Sequence, residues 1–324
     1  MDPASPASRP GEFELIARHL RPLAAGRAGA LGLADDAALI EVPPGRQLVV
    51  TADALVAGVH FLPEDPPDLV ARKMLRVNLS DLAAMAAAPL AYFMTCCLPA
   101  TIDDEWFAAF AEGLAEDQKE FRIALMGGDI TRTPGPLTLS VTALGTVAQG
   151  RELRRSTARP GDLIAVSGTV GDGALGLAVL LGRITRDAGS EALVRRYRLP
   201  QPRLQLAQRL AGIATACMDI SDGLAGDLAH ICEASGLAAE VEAAKVPLSE
   251  AARAILAREP RWRTVVLAGG DDYELLFTVP PDRLGEIADE PVSVIGRMTA
   301  GSGVRVLDEG GRQLELGAGG YRHF

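Results

Sequence analysis

The stretch Asp162-Leu-Ile-Ala-Val-Ser-Gly-Thr-Val-Gly-Asp-Gly-Ala-Leu-Gly176 decides the fold. Its first half, Leu163–Val166, is a short apolar run of strand type. Gly171, Gly173 and Gly176 then match the G-x-G-x-x-G spacing that opens a dinucleotide-binding βαβ unit. The match carries no further. Such a unit needs a tight turn after the strand and a second parallel strand within about 30 residues, ending in an acid. Here Ser167–Val170 lengthens the turn. Helical segments near Gly173–Leu181, Ser190–Tyr197 and Arg203–Ile213 intervene before the next strand, which runs into Met218-Asp219. Helices and strands interleave without a strict βαβ repeat, so the chain reads as α+β (mixed α/β) in two domains, not as a doubly wound sheet.

Upstream, the patterns predict a helix at Glu12–Leu23 and strands at Ala37–Val42 and Gln47–Asp53, joined by the turn Pro43-Pro44-Gly45. A long helix, Asp68–Ala88, is closed by Pro89; strand Tyr92–Leu98, helix Asp103–Glu120 and strands Ile123–Met126 and Leu137–Val147 follow. The arginine-rich segment Gly150–Gly161 is the expected boundary, giving a lead-in at 1–11 and domains at 12–150 and 151–324. Downstream come helix Gly223–Ser235, strand Ala239–Glu242 and helix Ser249–Ala257, then strands near Val265–Ala268 and Leu275–Val279. A helix at Asp282–Ile287 and strands Val292–Met298 and Gly303–Leu307 complete the expectation.

With 324 residues, 48% of them hydrophobic, the chain can bury the cores of two domains. A net charge of -10 and 4% aromatic residues argue against a nucleic-acid partner, which needs a basic footprint or a stacking surface. Cys96, Cys97, Cys217 and Cys232 form no Cys-x-x-Cys unit and read as small core residues of a reducing compartment. No apolar run is long enough for a membrane span, and MDPASPASRPGEF lacks the apolar core of a signal peptide. The expected location is the cytoplasm.

The chemistry lies in aspartates beside small residues: Asp35-Asp36, Asp53, Asp81, Asp129, Asp219, Asp222 and Asp272. Gathered in one cleft they would repel one another, unless a hard divalent cation such as Mg²⁺ took their oxygens. Such ions are also the usual partners of nucleotide phosphates, so the pattern points to a metal-dependent phosphate enzyme. Asp81 shares an apolar helix face with Met74, Val77, Leu82 and Met85, where a carboxylate is costly unless a cation or several donors meet it; capping a neighbouring element is the alternative. Asp53 and Asp129 each end an apolar strand, although Gly127-Gly128-Asp129 is also ordinary turn chemistry. Asp219, Ser221 and Asp222 bring three oxygen groups to a strand end and a helix start, where backbone N–H groups also favour anions; helix capping competes with that reading. His60 is the histidine nearest a candidate ligand, with a metal or substrate role set against a plain turn residue. The P-loop sequence and the protein-kinase signatures are missing.

Taken in order, LADDAAL, TADALVAGVHF, NLSDLAAM, GGDIT, PGDLIAVSG to GDGALGL, MDISDGL, GGDDYELLFT, VIGRM and the terminal GYRHF resemble the thiamine-monophosphate kinase family over nearly the whole chain. Within the same superfamily of PurM-like folds are aminoimidazole-ribonucleotide synthetase, selenophosphate synthetase and a hydrogenase-maturation protein. The resemblance implies transfer of the ATP γ-phosphoryl group to the phosphate of thiamine monophosphate. It also implies a homodimer that pairs strands of the N-terminal domain, a C-terminal α/β domain and several Mg²⁺ ions. By position, Asp36, Thr51, Asp53, Asp81, Asp129, Asp219 and Asp222 match Mg²⁺ ligands. Gly128, Asp129, Arg155 and Ser221 match nucleotide contacts, and His60, Asp271 and Tyr321 match positions that touch the thiamine phosphate. Asp35 and Asp272 are left with supporting roles.

Four positions depart from the family pattern. Ala34 stands for a usual glycine, Ala52 for a threonine, Ala86 for a glycine, and Asp271 for a glutamate one methylene longer. A different ATP-dependent synthetase of the superfamily, or a non-catalytic sensor of nucleotide or thiamine phosphate, is the alternative. The selenide enzyme typically carries a reactive Cys near its N-terminus, and no Cys precedes Cys96 here.

Overall fold

The computed structural model describes residues 11–316. By internal packing the chain forms two units: one takes the residues up to Asn78 together with Pro89–Thr146, the other Leu79–Ala88 together with the chain from Val147 onward. The sequence placed the division at 150/151 and gave no sign that the segment Leu79–Ala88 joins the second unit.

In the first unit, a helical turn α1 (Glu12–Leu15) runs through a π-turn to Leu20 and a 3₁₀ turn to Ala24, where the ring of Pro22 ends regular helix. The stretch 37–42 is not a strand. The Leu39 N–H donates to Gly29 O (2.8 Å) and Ala38 and Ile40 pack on Ala24, Ala30, Ala91 and Met126, while Pro43 and Pro44 have no N–H with which to extend a ladder. Strand β1 (Arg46–Val56), helix α2 (Pro67–Ala84), strand β2 (Ala88–Leu98), helix α3 (Asp104–Phe121) and strands β3 (Leu125–Arg132) and β4 (Thr138–Ala148) follow. The four strands lie in the order β1-β4-β2-β3, with β2 and β3 parallel.

Two expectations about strand ends are corrected. Both Asp53 and Asp129 lie inside strands, because β1 runs on to Val56 and β3 to Arg132. Backbone pairing carries β3 through its glycines, with Gly127, Gly128 and Asp129 opposite Phe93, Met94 and Thr95. A Cβ on Gly128 would stand 1.8 Å from the Met94 carbonyl oxygen, so glycine is what the neighbouring strand demands there.

Helix α3 begins on Asp103, whose carboxylate accepts the Trp106 N–H (2.8 Å), and ends on Arg122 in the left-handed region. It holds α2 through charge. Arg76, 1% exposed, grips the fully buried Asp117 with two parallel hydrogen bonds (2.7 and 2.8 Å) and reaches Glu120 as well, while Arg72 adds a bond to Asp117 (2.8 Å). The last turn of α2 belongs to the second unit, where Ala83, Ala84 and Ala86 pack with Leu206, Leu210 and Phe277. That helix stops at Ala84, four residues earlier than expected, and Ala86 takes φ +56°. The glycine usual there is explained by that backbone: a left-handed position costs an alanine what it does not cost a glycine.

The second unit contains β5 (Leu163–Ser167), α4 (Asp172–Leu180), α5 (Glu191–Arg198), α6 (Leu204–Leu210), β6 (Ala216–Asp219), α7 (Leu224–Ser235), β7 (Ala238–Glu242) and α8 (Glu250–Arg258). Then come α9 (Arg263–Ala268), β8 (Leu275–Val279), β9 (Val292–Thr299) and β10 (Gly303–Leu307). Its sheet has the order β10-β7-β9-β5-β8-β6, antiparallel except for β10 against β7, which confirms a mixed α/β class and rules out a doubly wound sheet. The expected strand near Val265 is the helix α9 instead. Burial of Val266 against α4 residues and of Leu267 in the core beneath the sheet outweighs the β preference of Thr264, Val265 and Val266. Similarly, residues Pro281–Ile287 form a 3₁₀ helix.

Removing Asp117 takes from the buried Arg76 the carboxylate that meets it with two hydrogen bonds. The Asp117→Ala protein should lose about 3–5 kcal/mol of stability in urea unfolding, and a loss below about 1 kcal/mol would show that the pair does not hold α2 to α3.

Candidate active-site loops

The strand pair β6–β8 does not stop where its strands do. Beyond Asp219↔Leu275, the Ile220 N–H donates to Glu274 O (2.8 Å), the Tyr273 N–H to Ile220 O (2.8 Å) and the Asp271 N–H to Ser221 O (2.9 Å). Loop 220–223 and loop 269–274 are thereby zipped into one surface. A Cβ on Gly270 would lie 2.0 Å from Ser221 O, so only glycine lets the loops approach so closely. At the strand end, the buried Asp219 carboxylate accepts the Ser80 hydroxyl (2.6 Å). Asp81, half-buried, is the next residue of α2.

Asp227, in the first turn of α7, was not singled out from the sequence. Its Oδ2 accepts the N–H groups of Ser221 (3.0 Å), Asp222 (3.1 Å) and Gly223 (3.0 Å). The N–H groups read from sequence as favouring anions are therefore already filled from within. The Ser221 N–H and C=O are both used, by Asp227 and by the Asp271 N–H. Burial, then the negative charges of Asp219 and Asp222, push the Asp227 carboxyl up to about 8 against those hydrogen bonds. An acid one turn into a helix that follows Ser-Asp-Gly was the available signal, since it can reach back to free N–H groups.

Asp271 and Tyr273 have φ of +70° and +52°, and the Tyr273 hydroxyl lies 3.4 Å from Asp271 Oδ1. Between them, Asp272 is fully structural: its two oxygens accept the N–H groups of Gly171 (2.6 Å) and Gly173 (3.0 Å) at the start of α4. Burial raises this carboxyl to about 8, with the two N–H groups and Arg196 opposing. Glu274, buried, is held by Arg196 (2.8 Å), Arg203 (2.6 Å) and the Ser167 hydroxyl (2.5 Å). These anchors are long-range and leave no local trace in sequence. The glycine spacing that imitated a dinucleotide fingerprint has a packing origin. Cβ atoms on Gly173 and Gly176 would stand 2.2 Å from Asp271 O and 2.1 Å from Leu193 O.

In the first unit, Asp35, Asp36, Phe93, Gly127, Gly128 and Asp129 border a cavity of about 160 Å³. Asp36 and Asp129 are both exposed. Thr51 and Asp53 lie two apart on β1 and so share a face, and the Asp53 carbonyl accepts the Ser140 hydroxyl (3.0 Å). His60 Nδ1 accepts the Val56 N–H (3.0 Å), which places the proton of the neutral ring on Nε2. Arg155 is exposed and opens a 3₁₀ turn, its carbonyl accepting the Ser235 hydroxyl (3.0 Å). Tyr321 lies outside the described residues.

Among the described residues, no three His, Cys, Asp or Glu side chains are arranged to hold a metal ion. What each unit does assemble is smaller: Asp36 and Asp129 at one cavity, and Asp219 at the end of β6 with Asp222 in the loop that follows, both acting on Asp227. All of these donors are hard oxygens, which fit Mg²⁺ and not a thiophilic metal.

The close approach at Gly173 is open to test. Gly173→Ala should cost about 1–3 kcal/mol of stability and speed hydrogen exchange at the Asp271 and Tyr273 amides. Unchanged protection at those amides would show that α4 does not brace the loop.

Residues 34–147 match the family model for the AIR synthase related protein, N-terminal domain, and residues 159–309 that for the AIR synthase related protein, C-terminal domain. The thiamine-monophosphate kinase of Caulobacter vibrioides is 46% identical over 319 residues, covering 95% of this chain and 90% of that protein. The crystal structure of thiamine-monophosphate kinase from Stenotrophomonas maltophilia K279a matches with a TM-score of 0.83 and 42% identity, over 93% of this chain and 97% of that one. A second solved structure, AaThiL complexed with AMPPCP and TMP, matches with a TM-score of 0.80 and 32% identity, over 99% and 100%. The chain belongs to the thiamine-monophosphate kinase family, built from the two AIR synthase related domains.

Proposed function

We infer that this protein is an ATP-dependent thiamine-monophosphate kinase, which transfers the γ-phosphoryl group of ATP to the phosphate of thiamine monophosphate and yields thiamine diphosphate and ADP. The observation that carries this reading is a full-length match at 32% identity to AaThiL complexed with AMPPCP and TMP, which we take as an ATP analogue and thiamine monophosphate. The 46% identity to the Caulobacter enzyme points the same way.

The acceptor is a phosphate oxygen, anionic at neutral pH, so the chain needs no general base. Its task is to align two anions in line and to offset their charge. We propose Asp36, Thr51, Asp53, Asp81, Asp129, Asp219 and Asp222 as the residues that would hold Mg²⁺. The ions would supply charge neutralisation on the phosphates. Gly128, Asp129, Arg155 and the Ser221 hydroxyl are the proposed nucleotide contacts. His60, through its Nε2–H, and Asp271 would meet the thiamine phosphate together with Tyr321. Because loop 269–274 is pinned on both sides, Asp271 brings its shorter side chain to a fixed place. The N-terminal domain (12–150) would carry nucleotide and metal contacts and the dimer surface, with 151–324 as its C-terminal partner.

A homodimer through β1 is supported by its edge position and by its exposed apolar side chains, Leu48 at 41% and Val50 at 56%. No described helix is long and apolar enough to cross a membrane. The net charge of -10 supports a reading with no nucleic-acid partner, and a cytoplasmic enzyme is proposed.

Purified protein with ATP and Mg²⁺ should form one ADP for each thiamine diphosphate, and ATP loss without the diphosphate would sink the kinase reading. In the same assay, Asp129→Asn and Asp219→Asn should each lower kcat by about 100-fold or more, with circular dichroism unchanged. Val50→Asp should convert the dimer to monomer in sedimentation velocity, and a monomeric wild type would remove the dimer proposal.

A further inference from the structure

Three consecutive N–H groups, from Ser221, Asp222 and Gly223, converge on one oxygen of Asp227 at 3.0, 3.1 and 3.0 Å. A concave run of donors at a helix start is the usual seat of a ligand's phosphate. Here the chain fills it with its own carboxylate, 1% exposed, and the Asp227 N–H in turn donates to Gly223 O (2.9 Å). An ordinary helix cap satisfies one or two such donors. This one satisfies all three, and ties the turn at both ends. The carbonyls of Ile220 and Ser221 are taken by loop 269–274, so all four N–H groups of turn 220–223 and three of its carbonyls are engaged.

We propose that Asp227 is a positioning residue that makes this helix start a holder of cations instead of phosphate. By consuming the three N–H groups it fixes turn 220–223. The carboxylates of Asp219 and Asp222, not backbone donors, are then what the loop offers a ligand. The inference rests on the metal-dependent kinase reading and extends it to a residue that would touch neither metal nor substrate. The geometry also predicts a hidden second character. With the Asp227 carboxylate gone, the same three N–H groups become an anion seat.

The test uses the full chain and Mn²⁺ alone, whose binding is followed by electron paramagnetic resonance, beside steady-state kinetics with Mg²⁺. Asp227→Ala should weaken Mn²⁺ binding about 10–100-fold, the range for removing a residue that orients metal ligands. It should also make inorganic phosphate an inhibitor against ATP, while KM for thiamine monophosphate stays near the wild-type value. Asp227→Asn keeps an acceptor oxygen of the same reach and should restore most of the Mn²⁺ affinity and abolish the phosphate inhibition. If Asp227→Ala fails to fold, Asp227→Glu takes its place: one methylene too long for the three-way contact, it should weaken Mn²⁺ binding although it keeps the carboxyl group. Wild-type Mn²⁺ affinity in a folded Ala or Glu variant overturns the proposal, as does an Asn variant as damaged as Ala. A wild type that binds Mn²⁺ yet makes no thiamine diphosphate would instead remove the kinase reading and leave the role of Asp227 to be judged on Mn²⁺ binding.

Discussion

Backbone hydrogen bonding between β6 and β8 that runs on past the strands is the constraint on which the candidate chemistry in the second unit depends. Three bonds, from Ile220 to Glu274, Tyr273 to Ile220 and Asp271 to Ser221, make two loops from distant parts of the chain behave as one strip. Each loop is then locked from the opposite side. Asp227 fills the first from beneath; Asp272 and Glu274 tie the second to α4, α5 and the arginine before α6. Preorganisation of this kind is what a reaction between two anions requires, because it removes the cost of gathering like charges at the moment of transfer.

Much of the framework was legible locally. The helix α3 beginning at Asp103, the span of α7 and the β8, β9 and β10 runs follow from periodicity and turn signals, which act within a few residues. The failures have a common cause. Residues 37–42 and Val265–Ala268 look like strands by composition, yet one lacks a ladder partner and the other is committed to helix by what it buries. The extra length of β1 and β3 likewise comes from pairing, which a neighbouring strand supplies from far along the chain.

The candidate site divides in the same way. Asp219 and Asp222 stood out as acids at a strand end and a helix start, while Asp271 was reached only through the family resemblance. Asp227, Arg196 and Arg203 did not stand out, because their importance lies in where their partners are. The decoy at Gly171–Gly176 is instructive: the spacing was real, but it records how closely α4 approaches Asp271 and α5, not a cofactor. Asp271 itself, in the left-handed region, shows that the shorter acid was accepted at a backbone position already awkward for any side chain.

Strand β1 deserves its own consequence. It is an edge that leaves Leu48 and Val50 in water, an open template for which the folded copy of the proposed dimer and a half-folded neighbour would compete. Protein concentration and the order of events during synthesis then decide which one arrives first. The yield of soluble material would rise with early encounter between folded copies and fall when unfolded chains accumulate, so crowding and expression temperature become determinants of how much working protein a cell obtains.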